Sequence, residues 1–122
     1  MPTQRQLFLQ HLAQTSDFPL GLEIERAEGI YMYDAAGKRY ADLISGIGVS
    51  NVGHRHPKVV AAIHAQVDKY MHLMVYGEYI QSPQVRLAKM LSDLLPAGIN
   101  NVYLTNSGTE AVEGALKLAK RY

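Results

Sequence analysis

The spacing of apolar positions changes several times along the chain. In residues 3–14, Leu7, Phe8, Leu12 and Ala13 sit among polar groups at the interval of a short amphipathic helix. Asp17-Phe18-Pro19-Leu20-Gly21 reads as a turn or extended link. Leu22, Ile24, Ala27, Ile30 and Met32, with Tyr31 and Tyr33, form short β-type runs. Asp34–Gly37 is a turn signal, and Lys38–Leu43 returns as a further strand. Together these predict a small antiparallel sheet.

Ser45–Gly53 is glycine-rich and reads as irregular. His56-Pro57 then opens a helix, because proline suits a first helical position whose N–H has no partner in any case. Val59, Val60, Ile63, Val67, Tyr70, Met71 and Met74 follow at helical spacing. Ser82 is the expected N-cap of the next helix, with Pro83 as its first residue. Leu87, Ala88, Leu91, Leu94 and Leu95 line one face of it, and Pro96-Ala97-Gly98 ends it. Asn101–Leu104 is expected as a short buried strand, 106–109 as a tight loop, and Glu110–Tyr122 as a final helix. The fold class is therefore α/β. Residues 1–50 form a mostly β part and residues 51–122 a helical part with one strand.

Composition narrows the function. Twelve Lys and Arg balance eleven Asp and Glu, and both signs are spread evenly along the 122 residues. No electrostatic footprint for nucleic acid or an anionic membrane surface is visible. The absence of cysteine excludes disulfides and thiolate metal sites. The start, MPTQRQLFLQHLAQTSDF, lacks the apolar run of a secretory signal, and no membrane span is expected. A soluble cytoplasmic protein follows as the expectation.

The strongest chemical signal is the succession strand, Asn106-Ser107-Gly108-Thr109, helix. The first N–H groups of a helix lack intrahelical partners and point along the positive end of its dipole. Gly108 permits a tight turn and close ligand approach, and Ser107 and Thr109 add hydroxyls. Such a loop suits a phosphate or carboxylate. The dipole contributes about 0.3–1 kcal/mol. Charge-assisted hydrogen bonds at about 1.5–3 kcal/mol each matter more. The competing reading is that Ser107 or Thr109 merely caps the helix. No Gly-Lys-Ser/Thr follows, so the loop is not a Walker motif. Gly46-Ile47-Gly48 lacks the third glycine and the helix of a dinucleotide fingerprint. Glu110 near the start argues for an anion held by backbone and hydroxyls, and Glu113 and Lys117 form a favourable i,i+4 pair.

Asn106–Ala111 with the following Val112–Ala119 resembles the class III aminotransferases, pyridoxal-phosphate enzymes of the aspartate-aminotransferase fold (fold type I). Gly29–Asp34 with Gly37–Asp42 is similar to their N-terminal meander, Ser45–Val49 to their active-site entrance segment, and Gly53–Pro57 to the start of their first long helix. The acetylornithine, ornithine and 4-aminobutyrate aminotransferases are the most similar in feel. The resemblance implies that Ser107, Gly108 and Thr109 bind the phosphate of pyridoxal 5'-phosphate. It places Ile47 near the substrate entrance, His54 and His56 in structural roles rather than as a metal pair, and His72 and Tyr76–Tyr79 in a substrate-facing loop. It also implies homodimers acting on a small-molecule amino donor and a 2-oxo acid.

Transamination needs a Schiff-base lysine and a carboxylate on the pyridine nitrogen. By resemblance both lie beyond this chain. Lys38, Lys58, Lys69, Lys89, Lys117 and Lys120 match no such position and read as surface lysines. The expectation is an N-terminal portion of an aminotransferase, with no catalytic residue of its own and inactive alone. Alternatives are a non-catalytic binding or assembly module, or an aminomutase of the glutamate-semialdehyde type.

Overall fold

A computed structural model describes residues 1–74 and 77–122. It forms two compact units, Met1–Met71 and His72–Tyr122. The helix after the glycine-rich stretch thus belongs to the same unit as the sheet.

The first unit opens with helix α1, Gln4–His11. It is shorter than the 3–14 span of apolar spacing, for reasons local to its ends. Thr3 and Gln6 form a reciprocal capping box at the start. At the other end Leu12 is extended, and the Gln14 amide donates to the carbonyls of Phe8 (3.2 Å) and Leu12 (2.7 Å). Those carbonyls are then satisfied without another helical turn.

Strands β1 (Ile24–Glu28), β2 (Tyr31–Asp34) and β3 (Arg39–Ala41) form an antiparallel sheet in sequential order. A bulge at Glu25 shifts the β1–β2 register between Ile24↔Asp34 and Arg26↔Tyr33. In β2–β3, Met32 faces Tyr40. The β2–β3 turn is held by Asp34. Its Oδ1 accepts from the N–H of Ala36 (3.0 Å) and Lys38 (2.9 Å), and its Oδ2 from the Tyr40 hydroxyl (3.0 Å). Guanidinium groups cover two sheet tyrosines, Arg26 over Tyr33 at 3.6 Å and Arg39 over Tyr31 at 4.4 Å.

The stretch expected to be irregular contains one turn of helix, α2, Ser45–Gly48. Helix α3, Pro57–Val67, begins at proline as anticipated.

The second unit contains α4, Ser82–Leu94, and α5, Gly108–Arg121. Ser82 is not the N-cap: Gln81 takes that position and Ser82 is the first helical residue, with no side-chain capping bond. The Gln81 amide instead donates to the Met74 carbonyl (2.7 Å), and Gln81 is buried. The expected buried strand at 101–104 is also corrected. These residues pair with no strand among the described residues, and Tyr103 is 87% exposed. A strand exists only through its ladder partners, so the apolar run alone cannot make one. No apolar side chain among the described residues is fully buried, and the apolar faces of α3 and α5 (Val59, Ile63 and Val67; Val112 and Leu116) are open.

Candidate phosphate-binding site

Residues 101–105 lead into the loop before α5, and Ser107 is the N-cap. Ser107 Oγ accepts from the Glu110 N–H at 3.2 Å. The Glu110 carboxylate reaches back to accept from the N–H of Ser107 (3.1 Å) and of Asn106 (2.8 Å). This is a complete capping box with one extra donor. The Thr105 hydroxyl donates to the Ser107 carbonyl (3.2 Å). The helix therefore starts two residues earlier than Glu110, because Gly108 and Thr109 are already helical.

The N–H groups of Gly108 and Thr109 have no acceptor among the described residues. A Cβ built on Gly108 meets nothing within 4 Å, so the space before it is open. Two orphan donors, the Thr109 hydroxyl and the positive end of a fourteen-residue helix all belong to this one loop and helix start. A phosphate fits this donor set, which is polar, open on one side and built from backbone N–H groups. Along the helix, Glu113 and Lys117 pair at 3.4 Å.

The other candidates lie in the first unit. Ile47 sits within α2, and the turn is left-handed. Ser45, Gly46, Ile47 and Gly48 have φ of 50°, 60°, 58° and 78°. Left-handed backbone costs about 1–2 kcal/mol for each non-glycine residue, through Cβ–carbonyl repulsion. Ile47 is β-branched, so it is a genuine outlier there. Below it, Asp42 Oδ1 accepts from the N–H of Ser45 (2.8 Å) and Ile44 (3.1 Å), and Oδ2 lies 2.7 Å from His54 Nε2. The Ser45 N–H holds the Asp42 carboxyl below its usual range, helped by the His54 ring and the Ile44 N–H and opposed by partial burial. His54 is itself tied to the β1–β2 connection by two backbone bonds with Gly29, at 2.7 and 3.0 Å.

His54 is thus engaged by a carboxylate. His56 Nδ1 is a buried atom without a partner among the described residues. No cluster of three metal-ligating side chains occurs among the described residues. His72 and Tyr79 lie in irregular chain, and Tyr76 lies outside the described residues. All six lysines are exposed. Ser107, Gly108 and Thr109 are brought together by one loop, and Ile47 belongs to the other unit.

Two features escaped the sequence reading. The Ser107-x-x-Glu110 pattern is a capping-box signature and was legible. The Asp42–His54 pair was not, since a sequence separation of twelve carries no periodic signal.

The first unit thus carries a small antiparallel meander, and the second a helix start with two N–H groups that have no acceptor among the described residues. Residues 12–122 match the model of the family described as aminotransferase class-III. The chain belongs to that family. It is 44% identical over 103 residues to the acetylornithine aminotransferase of Methanocaldococcus jannaschii, covering 84% of this chain and 25% of that protein. Its structure is similar to the adenosylmethionine-8-amino-7-oxononanoate aminotransferase of the same organism, with a TM-score of 0.87, 31% identity, and coverage of 97% and 28% of the two chains. It is also similar to the taurine:2-oxoglutarate aminotransferase from Bifidobacterium kashiwanohense, solved in complex with PLP and glutamate. There the TM-score is 0.80, the identity 37%, and the coverage 94% of this chain and 26% of that one. The chain spans about a quarter of the length of the curated relatives it matches. No helix among the described residues is long and apolar enough to cross a membrane.

Proposed function

We propose that the whole protein is a pyridoxal-phosphate-dependent transaminase. It moves an amino group from an ω-amino or amino-acid donor to a 2-oxo acid such as 2-oxoglutarate. The observation that carries this reading is the capped loop at 106–110, in which the N–H groups of Gly108 and Thr109 are left without an acceptor among the described residues.

Ser107, Gly108 and Thr109 hold the cofactor phosphate through the N–H groups of Gly108 and Thr109 and the two hydroxyls. Bound pyridoxal phosphate supplies an electron sink that lets the amino group be exchanged. This chain's part is to anchor and orient: it fixes the phosphate end so that the reactive end is held in register with groups elsewhere in the protein. Residues 1–50 contribute the small-domain part and residues 51–122 the start of the cofactor domain. Ile47 stands at the substrate entrance. The protein acts as a homodimer in the cytoplasm, and none of this chain's six lysines is the Schiff-base lysine.

The test is glutamate formation from 2-oxoglutarate by the whole protein, across a panel of ornithine-type and other ω-amino donors, with and without pyridoxal phosphate. The reading predicts cofactor-dependent glutamate from at least one donor. No glutamate from any donor by cofactor-loaded protein overturns it.

A further inference from the structure

The left-handed turn at Ser45–Gly48 is closed by the N–H groups of Val49 and Ser50, both donating to the Ser45 carbonyl at 2.9 Å. Ile47 is 91% exposed, so packing within its unit does not require this conformation. A strained residue of this kind persists only where its surroundings over-determine it, and such residues concentrate at functional sites.

The surroundings here are specific. Both oxygens of Asp42 are engaged, one by the two N–H groups that open the turn and the other by His54. The Asp42 N–H donates to the Ile30 carbonyl at 2.9 Å, and its side chain is only 7% exposed. The chain after the turn is fixed in parallel, with the Gly53 N–H on the Ser50 carbonyl (2.9 Å) and His54 bridged to Gly29. Both ends of the turn are thus anchored to Gly29 and Ile30, the connection between β1 and β2, and the Asp42–His54 contact joins the two anchors.

We propose that Asp42 and His54 are positioning residues. They hold the left-handed turn so that Ile47 is presented as a fixed apolar contact that reads the length of the amino donor's carbon chain. This rests on the reading of Ile47 as a substrate-facing residue.

The experiment uses the whole protein loaded with pyridoxal phosphate and two amino donors that differ by one methylene, and reads kcat and KM for each. Ile47→Ala changes discrimination between them by about 10-fold, the scale of one methylene in an apolar pocket. His54→Leu and Asp42→Ala change it in the same direction through KM, with kcat within about twofold. His54→Gln, which keeps a side-chain N–H for Asp42, restores discrimination. In the Ile47→Ala background, His54→Leu adds nothing further, because both act through one contact.

The failures separate. If Ile47→Ala leaves discrimination unchanged, Ile47 is not a substrate contact and the inference falls with that reading. If Ile47→Ala acts but the Asp42 and His54 variants do not, or if His54→Leu acts equally without Ile47, the positioning role alone is overturned. Failure of all the Asp42 and His54 variants to yield soluble, cofactor-loaded protein also overturns it, because the pair would then hold the fold rather than the turn.

Discussion

Glu110 and Ser107 cap each other: Ser107 Oγ accepts from the Glu110 N–H at 3.2 Å, and the Glu110 carboxylate accepts from the Ser107 N–H at 3.1 Å. The same carboxylate takes the Asn106 N–H at 2.8 Å. A negative group therefore stands beside a site read as anion-binding. It occupies the two outer donors and leaves those of Gly108 and Thr109 for the ligand. Glu110→Ala removes the carboxylate and loosens the loop, at a cost of about 1 kcal/mol to the start of α5. Glu110→Gln keeps the cap and removes the charge. Pyridoxal phosphate affinity of the whole protein, measured by titration, is expected to fall with Ala and to be retained or improved with Gln.

Gly53 and Gly37 provide a matched pair of glycine tests. Both have φ near +80°. A Cβ on Gly53 would meet the Gly29 carbonyl oxygen at 3.0 Å, in backbone that cannot swing aside, whereas a Cβ on Gly37 meets nothing within 4 Å. Gly37→Ala therefore carries only the conformational cost, about 1–2 kcal/mol. Gly53→Ala adds the clash and is expected to destabilise more, through loss of the Gly29–His54 bridge. The shift in denaturant midpoint of the whole protein checks the order.

The pH response follows from the two carboxylates with lowered pKa. In Asp42 the Ser45 N–H is the largest cause, followed by the His54 ring. In Asp34 partial burial is the largest single influence and works the other way. The N–H of Lys38, the Tyr40 hydroxyl and the Ala36 N–H together outweigh it. A folded pKa below the unfolded one means a stabilising contribution fully present above the ordinary value of 3.8. That contribution is lost as pH falls from there through the folded value. Amide protection of Ser45 is therefore expected to hold above about pH 4 and to decline below it. Asp42→Asn should remove that acid-induced decline at Ser45, and Asp34→Asn should leave it in place.

Reductive trapping tests the lysine assignment. Lys38, Lys58, Lys69, Lys89, Lys117 and Lys120 are all exposed, and Lys89 and Lys117 pair with Asp93 and Glu113. None is enclosed as a nucleophilic lysine must be. Borohydride treatment of the cofactor-loaded whole protein, followed by peptide mapping, should give no stoichiometric adduct at these six. One such adduct would sink the assignment.

Local signals carried most of the architecture. Proline at the start of α3, the Asp34–Gly37 turn and the Ser-Gly-Thr loop were legible because each is set by backbone chemistry within a few residues. The strand expected at 101–104 failed because a strand is defined by partners that its own residues cannot supply. The left-handed turn at 45–48 was hidden for a related reason. Ile47 opposes that conformation by itself, and the bonds around the turn include ones from Asp42, which in turn meets His54 twelve residues on. The 106–109 loop was legible as a candidate site, but that Glu110 takes the N–H groups of both Asn106 and Ser107 depends on the rotamer its side chain adopts in the fold.

The central claim is that the loop at 107–109 holds the cofactor phosphate rather than merely capping a helix. The most direct measurement is the ratio of affinities of the whole protein for pyridoxal 5'-phosphate and for pyridoxal, before and after Ser107→Asp. Aspartate caps a helix about as well as serine, so α5 stays formed, but its charge opposes a phosphate. The account predicts that the native protein prefers the phosphorylated form and that Ser107→Asp abolishes the preference while helicity is unchanged. A preference that survives Ser107→Asp intact would contradict it.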